Sequence, residues 1–95
     1  MTVEYARRAA ADIAAISEYY DTSNVSVSSR FADHLEELIA RLDRWPQSGR
    51  PVGQRPGVRV ALVPGFPYKL FYRVLNGRIR VLHIRHAARR PLAGR

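Results

Sequence analysis

Residues 68–86, YKLFYRVLNGRIRVLHIRH, carry two runs of β-branched and aromatic residues on either side of Asn76-Gly77. An Asn-Gly pair suits a two-residue hairpin turn because both central positions need positive φ. With that turn in place, Leu75 opposes Arg78 and each pair further out follows from it. Alternation then predicts one face made of Tyr68, Leu70, Tyr72, Val74, Ile79, Val81, His83 and Arg85, and another made of Lys69, Phe71, Arg73, Leu75, Arg78, Arg80, Leu82, Ile84 and His86. The first face is mainly apolar and is expected to be covered from within the chain. The second mixes arginines with Phe71, Leu82 and Ile84, an apolar surface left for a partner segment.

Upstream, VRVALV at 58–63 predicts a third strand, ended by the PGFP break at 64–67. The stretch PQSGRPVGQRPG at 46–57 has three Pro and three Gly in twelve positions, which sustains neither period and predicts a loop. Before it the pattern is helical. In ARRAAADIAAISEYY, Ala6, Ala9, Ile13, Ile16 and Tyr20 form one stripe, and Val27, Phe31, Leu35, Leu38, Leu42 and Trp45 form a second, stopped by Pro46. Residues DTSN at 21–24 read as the link, with Ser23 or Asn24 as a cap. The opening MTVEY has the composition of a short strand. The expected fold is therefore α+β, a single domain over residues 1–95 in the order β-α-α-β-β-β, with an N-terminal helical hairpin on one face of a small antiparallel sheet.

Charge divides the chain in two. All eight acidic residues and four arginines fall in residues 1–43, a balance of −4, while residues 44–95 hold twelve basic residues and no acid, a balance of +12. The cationic half favours an anionic partner, nucleic acid or acidic protein, through attraction that falls with salt. The chain has no Cys, so disulfides are excluded, and with only His34, His83 and His86 available no metal or other cofactor is expected. No apolar run reaches the roughly 20 residues of a membrane span, and the N-terminus has no signal-peptide layout. A cytoplasmic protein that does not bind membrane is expected.

The element order, together with PGVRVALVPGFPYKLFYRV at 56–74 and IRVLHIRHAARRP at 79–91, resembles the ParE/RelE toxin superfamily of bacterial type II toxin-antitoxin modules, and its ParE branch in particular. The resemblance spans nearly the whole chain. Its most specific part is the ending RHAARRP, which is similar to the His-x-x-Arg ending of ParE-like toxins and places His86 and Arg89 on that motif. The resemblance implies a growth-inhibiting toxin held silent by a cognate ParD-like antitoxin. It implies DNA gyrase as target in the ParE branch, or cleavage of ribosome-bound mRNA in the RelE branch.

Metal-free RNA cleavage needs a base for the 2′-hydroxyl proton, cations for the phosphorane and an acid for the leaving oxygen. RelE-like enzymes supply Lys, Arg and a Tyr or His near the chain end. Here Lys69 is the only lysine and no Tyr follows Tyr72. That departure favours the non-enzymatic, gyrase-directed reading, with no catalytic residues, although His86 with Arg73, Arg80 and Arg89 keeps a RelE-like endonuclease as the alternative. The antitoxin-binding surface is expected at Arg59, Lys69, Phe71, Arg73, Arg80, Leu82 and Ile84, and the target-binding one at His86, Arg89 and Arg90. A nucleic-acid-binding module and a plain peptide-binding domain also stay open, since basic composition alone suits either. Other candidates read as structural: His83 as a hydrogen-bonded core residue, the stripe ending in Trp45 as core, and His34, Arg7, Arg8, Asp12, Glu18, Glu36 and Glu37 as solvated.

Overall fold

The computed structural model of the chain describes residues 2–88. Strand β1 (Thr2–Tyr5) leads into α1 (Arg7–Ser23), a single residue later α2 (Val25–Arg44) begins, and β2 (Arg50–Pro51), β3 (Val58–Leu62), β4 (Tyr68–Leu75) and β5 (Arg78–His86) complete the described chain. The five strands form one sheet in the order β1-β5-β4-β3-β2. The last four form an antiparallel meander, whereas β1 joins β5 in parallel, with Val3 opposite Ile79 and Tyr5 opposite Val81, so the sheet is mixed. The α+β class and the element order read from the sequence are the observed ones, while the parallel pairing of β1 makes mixed the sheet that was expected to be antiparallel. Within the loop at 46–57, the two residues of β2 add an edge to β3.

The hinge between the helices is shorter than DTSN suggests, because α1 runs on through Asp21, Thr22 and Ser23. Asn24 alone makes the turn. Its extended backbone breaks α1, and its side chain accepts the Ser26 N–H at 3.0 Å, capping α2. Phe31, Leu35, Leu38 and Leu42 from α2 are buried against Tyr68, Leu70, Tyr72, Ile79 and Val81 of the sheet. From α1, Ala9 is fully buried while Ile13, Ile16 and Tyr20 pack at the margin. Trp45 departs from the stripe: it follows the last helical turn, is 56% exposed, and has the Arg44 guanidinium over its ring. Pro46 turns the chain there, and its carbonyl accepts the Tyr72 hydroxyl at 2.7 Å while that hydroxyl accepts the Gly49 N–H at 2.9 Å.

Asn76 and Gly77 both have positive φ, 47° and 76°, as a tight hairpin turn requires. From the turn outward, Leu75 opposes Arg78, Val74 opposes Ile79, Arg73 opposes Arg80 and Tyr72 opposes Val81. Then the register slips, because Phe71 opposes His83 and Leu82 is the extra residue of a β-bulge. Everything beyond it on β5 changes face. Ile84, expected on the open side, is 5% exposed within the core, and His86 stands edge-on to Tyr68. His83, expected in the core, lies on the open side in a parallel stack with Phe71, ring centroids 4.5 Å apart. In the core an apolar residue, Ile84, has taken the place expected for a polar one, His83, the direction that burial energetics favour.

Candidate functional site

The open face of the sheet is built mainly by β4 and β5. Lys69, Phe71, Arg73 and Leu75 project from β4, with Arg85, His83, Arg80 and Arg78 opposite them in that order. An acid pairs with two of these cations. Glu4 on β1 accepts Arg78 at 3.1 Å and Arg80 at 3.5 Å, so Arg80 is partly neutralised from within the chain.

The loop between β2 and β3 folds over the same face. Val52, Arg55 and Val58 are tied by backbone hydrogen bonds of 2.9 to 3.1 Å, and Arg73 Nη1 donates to the Pro56 carbonyl at 3.2 Å. Gly57 sits at φ 81°, and a Cβ there would fall 2.8 Å from Arg73 Nη1. Held in this way, the loop carries the Arg55 guanidinium over Phe71, 5.7 Å from the ring centroid, with Nη1 2.9 Å from His83 Nε2. Arginine only donates, so Nε2 accepts and the ring proton belongs on Nδ1. That Nδ1 is buried and has no hydrogen-bond partner among the described residues. Desolvation first, then the charges of Arg55, Arg8 and Arg85, push the His83 pKa down, against a smaller upward pull from Asp12. The neutral form of His83 is therefore favoured.

The residues expected to bind an antitoxin divide accordingly. Lys69, Phe71, Arg73 and Arg80 share the open face, and Leu82 is the half-exposed bulge residue. Ile84 does not belong with them, being in the core. Arg59 opposes Tyr72 and so lies on the helix side, where its Nη1 donates to the carbonyls of Gln47 and Gly49 at 3.1 and 2.7 Å. Its guanidinium fastens the loop after α2. Arg55 and the exchanged His83 were not expected on this face. The signal for His83 lay in the spacing of Ile79, Val81 and Ile84, which steps by two and then by three across the bulge, whereas nothing in the loop sequence places Arg55.

Of the expected target-binding residues, His86 ends β5 on the helix side, its Nδ1 accepting the Ala88 N–H at 3.2 Å. Arg89 and Arg90 lie outside the described residues. His86 borders a cleft between α1 and β5 that also includes Tyr19, Tyr20, Tyr68, Arg8 and Arg85. Asp12, expected to be solvated, accepts the Ile84 N–H there at 2.9 Å. His34 is also engaged, with Nδ1 2.6 Å from the Pro64 carbonyl and its ring edge-on to Phe66. A separate apolar groove of about 480 Å³ runs between β1 and the helices, lined by Val3, Ile13, Leu35 and Ile39 and rimmed by Glu36 and Asp43. Among the described residues no three acidic or histidine side chains gather to hold a metal ion, and no helix is long and apolar enough to cross a membrane.

Comparison with known proteins bears on what these surfaces serve. The chain is 33% identical over 82 residues to Toxin RelE2 of Caulobacter vibrioides, with 86% of this chain and 90% of that protein covered. The structure described as the chromosomal ParDE TA system from P. aeruginosa superposes with a TM-score of 0.77 at 27% identity, covering 90% of this chain and 95% of that one. The intact E. coli RelBE toxin-antitoxin complex shares the fold, with a TM-score of 0.61 at 15% identity over 93% of this chain and 98% of that one. The family described as ParE toxin of type II toxin-antitoxin system, parDE, matches residues 3–91. Over nearly its whole length, then, the chain belongs to the ParE toxin family of type II toxin-antitoxin systems.

Proposed function

We propose that this toxin arrests growth by acting on DNA gyrase without catalysing RNA cleavage, and that a cognate ParD-like antitoxin neutralises it. The observation that carries the non-enzymatic reading is the bulge at Leu82. It separates His86 from Arg73 and Arg80, so the acid and two of the cations considered for a nuclease stand on opposite faces of the sheet. His83 does share a face with those arginines, but its Nε2 is occupied by Arg55 and its Nδ1 is buried. While Arg55 lies in this position, neither nitrogen is open to take a proton from a 2′-hydroxyl. The ending His86, Arg89 and Arg90 remains the proposed target contact.

For the antitoxin we propose the open face at Lys69, Phe71, Arg73, Arg80 and Leu82, because an acidic segment with apolar anchors matches its charge. The groove along β1 is apolar as well, yet its rim of Glu36 and Asp43 opposes an acidic partner.

Controlled expression in a bacterium tests the target. The expected result is inhibited supercoiling or accumulated gyrase-cleaved DNA, with no cuts at A-site codons of translating ribosomes, and reduced toxicity in the Arg89→Ala/Arg90→Ala double variant. Codon-dependent cuts with gyrase unaffected would establish the RelE-like alternative, which the likeness to a protein named RelE2 keeps in play.

A further inference from the structure

Phe71, the largest apolar side chain on the open face, is not freely presented. Arg55 lies across it and is bonded to the stacked His83. The backbone of the loop is fastened by its own hydrogen bonds and by Arg73, but the Arg55 side chain is exposed and makes only these two contacts among those described. A side chain so placed swings away without the loop unfolding. The space that it leaves adjoins an aromatic stack, a freed imidazole nitrogen and the cations of β4 and β5.

We infer that Arg55 is a latch over an anchor seat formed by Phe71 and His83, and that an acidic antitoxin segment docks by drawing Arg55 from His83 onto its own carboxylate. The inference rests on the open-face reading above and adds to it a mechanism and a proton. In the free toxin, His83 Nε2 accepts from Arg55, and the ring is faced by Arg55 of the loop, Arg8 and Asp12 of α1, and Arg85 of its own strand. Desolvation first, and then three cations against one carboxylate, lower the pKa of the imidazole and favour its neutral form. Docking removes the nearest cation from Nε2 and brings carboxylates close, so the imidazole takes up a proton from solvent at Nε2, with Nδ1 keeping its own. The sign follows. The pKa of His83 is higher in the complex than in the free toxin, so docking takes up a proton between the two values, its strengthening is fully present below the free value, and that gain is lost as pH rises through the value in the complex. For one proton the affinity changes by at most about tenfold per pH unit.

Titration calorimetry with the purified cognate antitoxin, between pH 5.5 and 8 and in buffers of different ionisation enthalpy, tests this. The parent is expected to take up protons on binding and to bind more tightly at low pH, and His83→Gln is expected to lose both dependences. Ring-nitrogen NMR of the parent adds a readout free of any folding defect in the variant: His83 Nε2 should change from acceptor to protonated donor on complex formation. If Phe71→Ala weakens binding but parent and His83→Gln share one pH profile, or His83 stays neutral in the complex, the latch is refuted and the open-face reading stands. If Phe71→Ala leaves affinity unchanged while Ile39→Arg abolishes it, the antitoxin sits in the groove along β1, and the open-face reading falls with the latch.

Discussion

The carboxylate of Asp12, one turn into α1, accepts the backbone N–H of Ile84 on β5 at 2.9 Å. Strand β1 pairs with β5 only as far as Val81, and the Ala6 N–H then reaches the Val81 carbonyl as the chain turns into α1. Beyond that point no strand among the described residues lies beside the outer edge of β5. Asp12 supplies an acceptor where the next strand residue would have stood, ties the helix to the sheet, and occupies a position at which a foreign strand would begin to pair.

Replacing Asp12 by Ala leaves the part-buried Ile84 N–H without its partner, and a loss of about 1 to 3 kcal/mol is expected. Asn keeps an acceptor oxygen, so Asp12→Asn should recover part of that loss. Urea melts of the two variants check the order. Equal stability of parent and Asp12→Ala would mean that the bond contributes nothing.

The core prediction concerns α2. Phe31 and Leu38 are fully buried, and truncating either to Ala should cost about 2 to 5 kcal/mol, a large share of the stability of a domain this size. Trp45→Ala should be nearly silent, since the ring is 56% exposed beyond the helix end. Melts that rank Trp45→Ala with Leu38→Ala would place the indole in the core.

The same contrast marks how far the sequence could be read. The two helices, the three long strands and the hairpin turn were legible because each is a sustained period with a chemical stop: Asn24, Pro46 and Asn76-Gly77. What was not legible breaks a period. A single extra residue at Leu82 moves Ile84 into the core and His83 out of it, and period-two alternation has no term for an insertion. The stripe of α2 ran one step too far to Trp45 because helical spacing does not register where Pro46 redirects the chain. Arg55 could not be placed at all, since its loop has no period and its contacts with Phe71 and His83 lie 16 and 28 residues away in sequence. Lys69, Phe71, Arg73 and Arg80 were placed together correctly, because the Asn-Gly turn orders β4 and the near half of β5 before the bulge intervenes.

Tyr72 gives a test of the loop that follows α2. Its buried hydroxyl donates to Pro46 and accepts from Gly49. Tyr72→Phe leaves both backbone groups unmatched and should cost about 1 to 3 kcal/mol, with faster hydrogen exchange at the Gly49 amide. Gly49→Ala should be at least as harmful, because a Cβ there would fall 2.5 Å from the hydroxyl oxygen. Unchanged exchange at Gly49 in Tyr72→Phe would show that this hydrogen bond is not what protects the amide.

His83 is expected to make stability depend on pH in the free toxin. Its folded pKa is depressed by desolvation and then by neighbouring arginines, so the unfolded chain binds the proton more readily. Stability is expected to be full above the ordinary histidine value of about 6.5, to decline as pH falls below it, and to level off below the folded pKa. His83→Gln should remove that component, and Arg55→Ala should reduce it by withdrawing one of the charges. Parallel melts from pH 5 to 8 with coincident slopes for parent and His83→Gln would show that the ring is not held neutral by folding.

The last prediction separates attraction from anchoring on the open face. Glu4 is the acid that pairs with Arg78 and Arg80 there, so Glu4→Gln releases two guanidinium groups and makes the field of the face more positive. Arg80→Ala does the reverse. If an acidic antitoxin is steered to this face, Glu4→Gln should quicken association and Arg80→Ala should slow it, both effects shrinking as salt rises and neither acting mainly on the off-rate. Phe71→Ala should behave differently, accelerating dissociation and weakening the complex by more than about 1 kcal/mol, with little change in the salt dependence. Stopped-flow association at several salt concentrations, paired with dissociation by competition, distinguishes the two patterns. Association rates that are the same for Glu4→Gln and Arg80→Ala at low salt would mean that the antitoxin approaches the toxin from elsewhere.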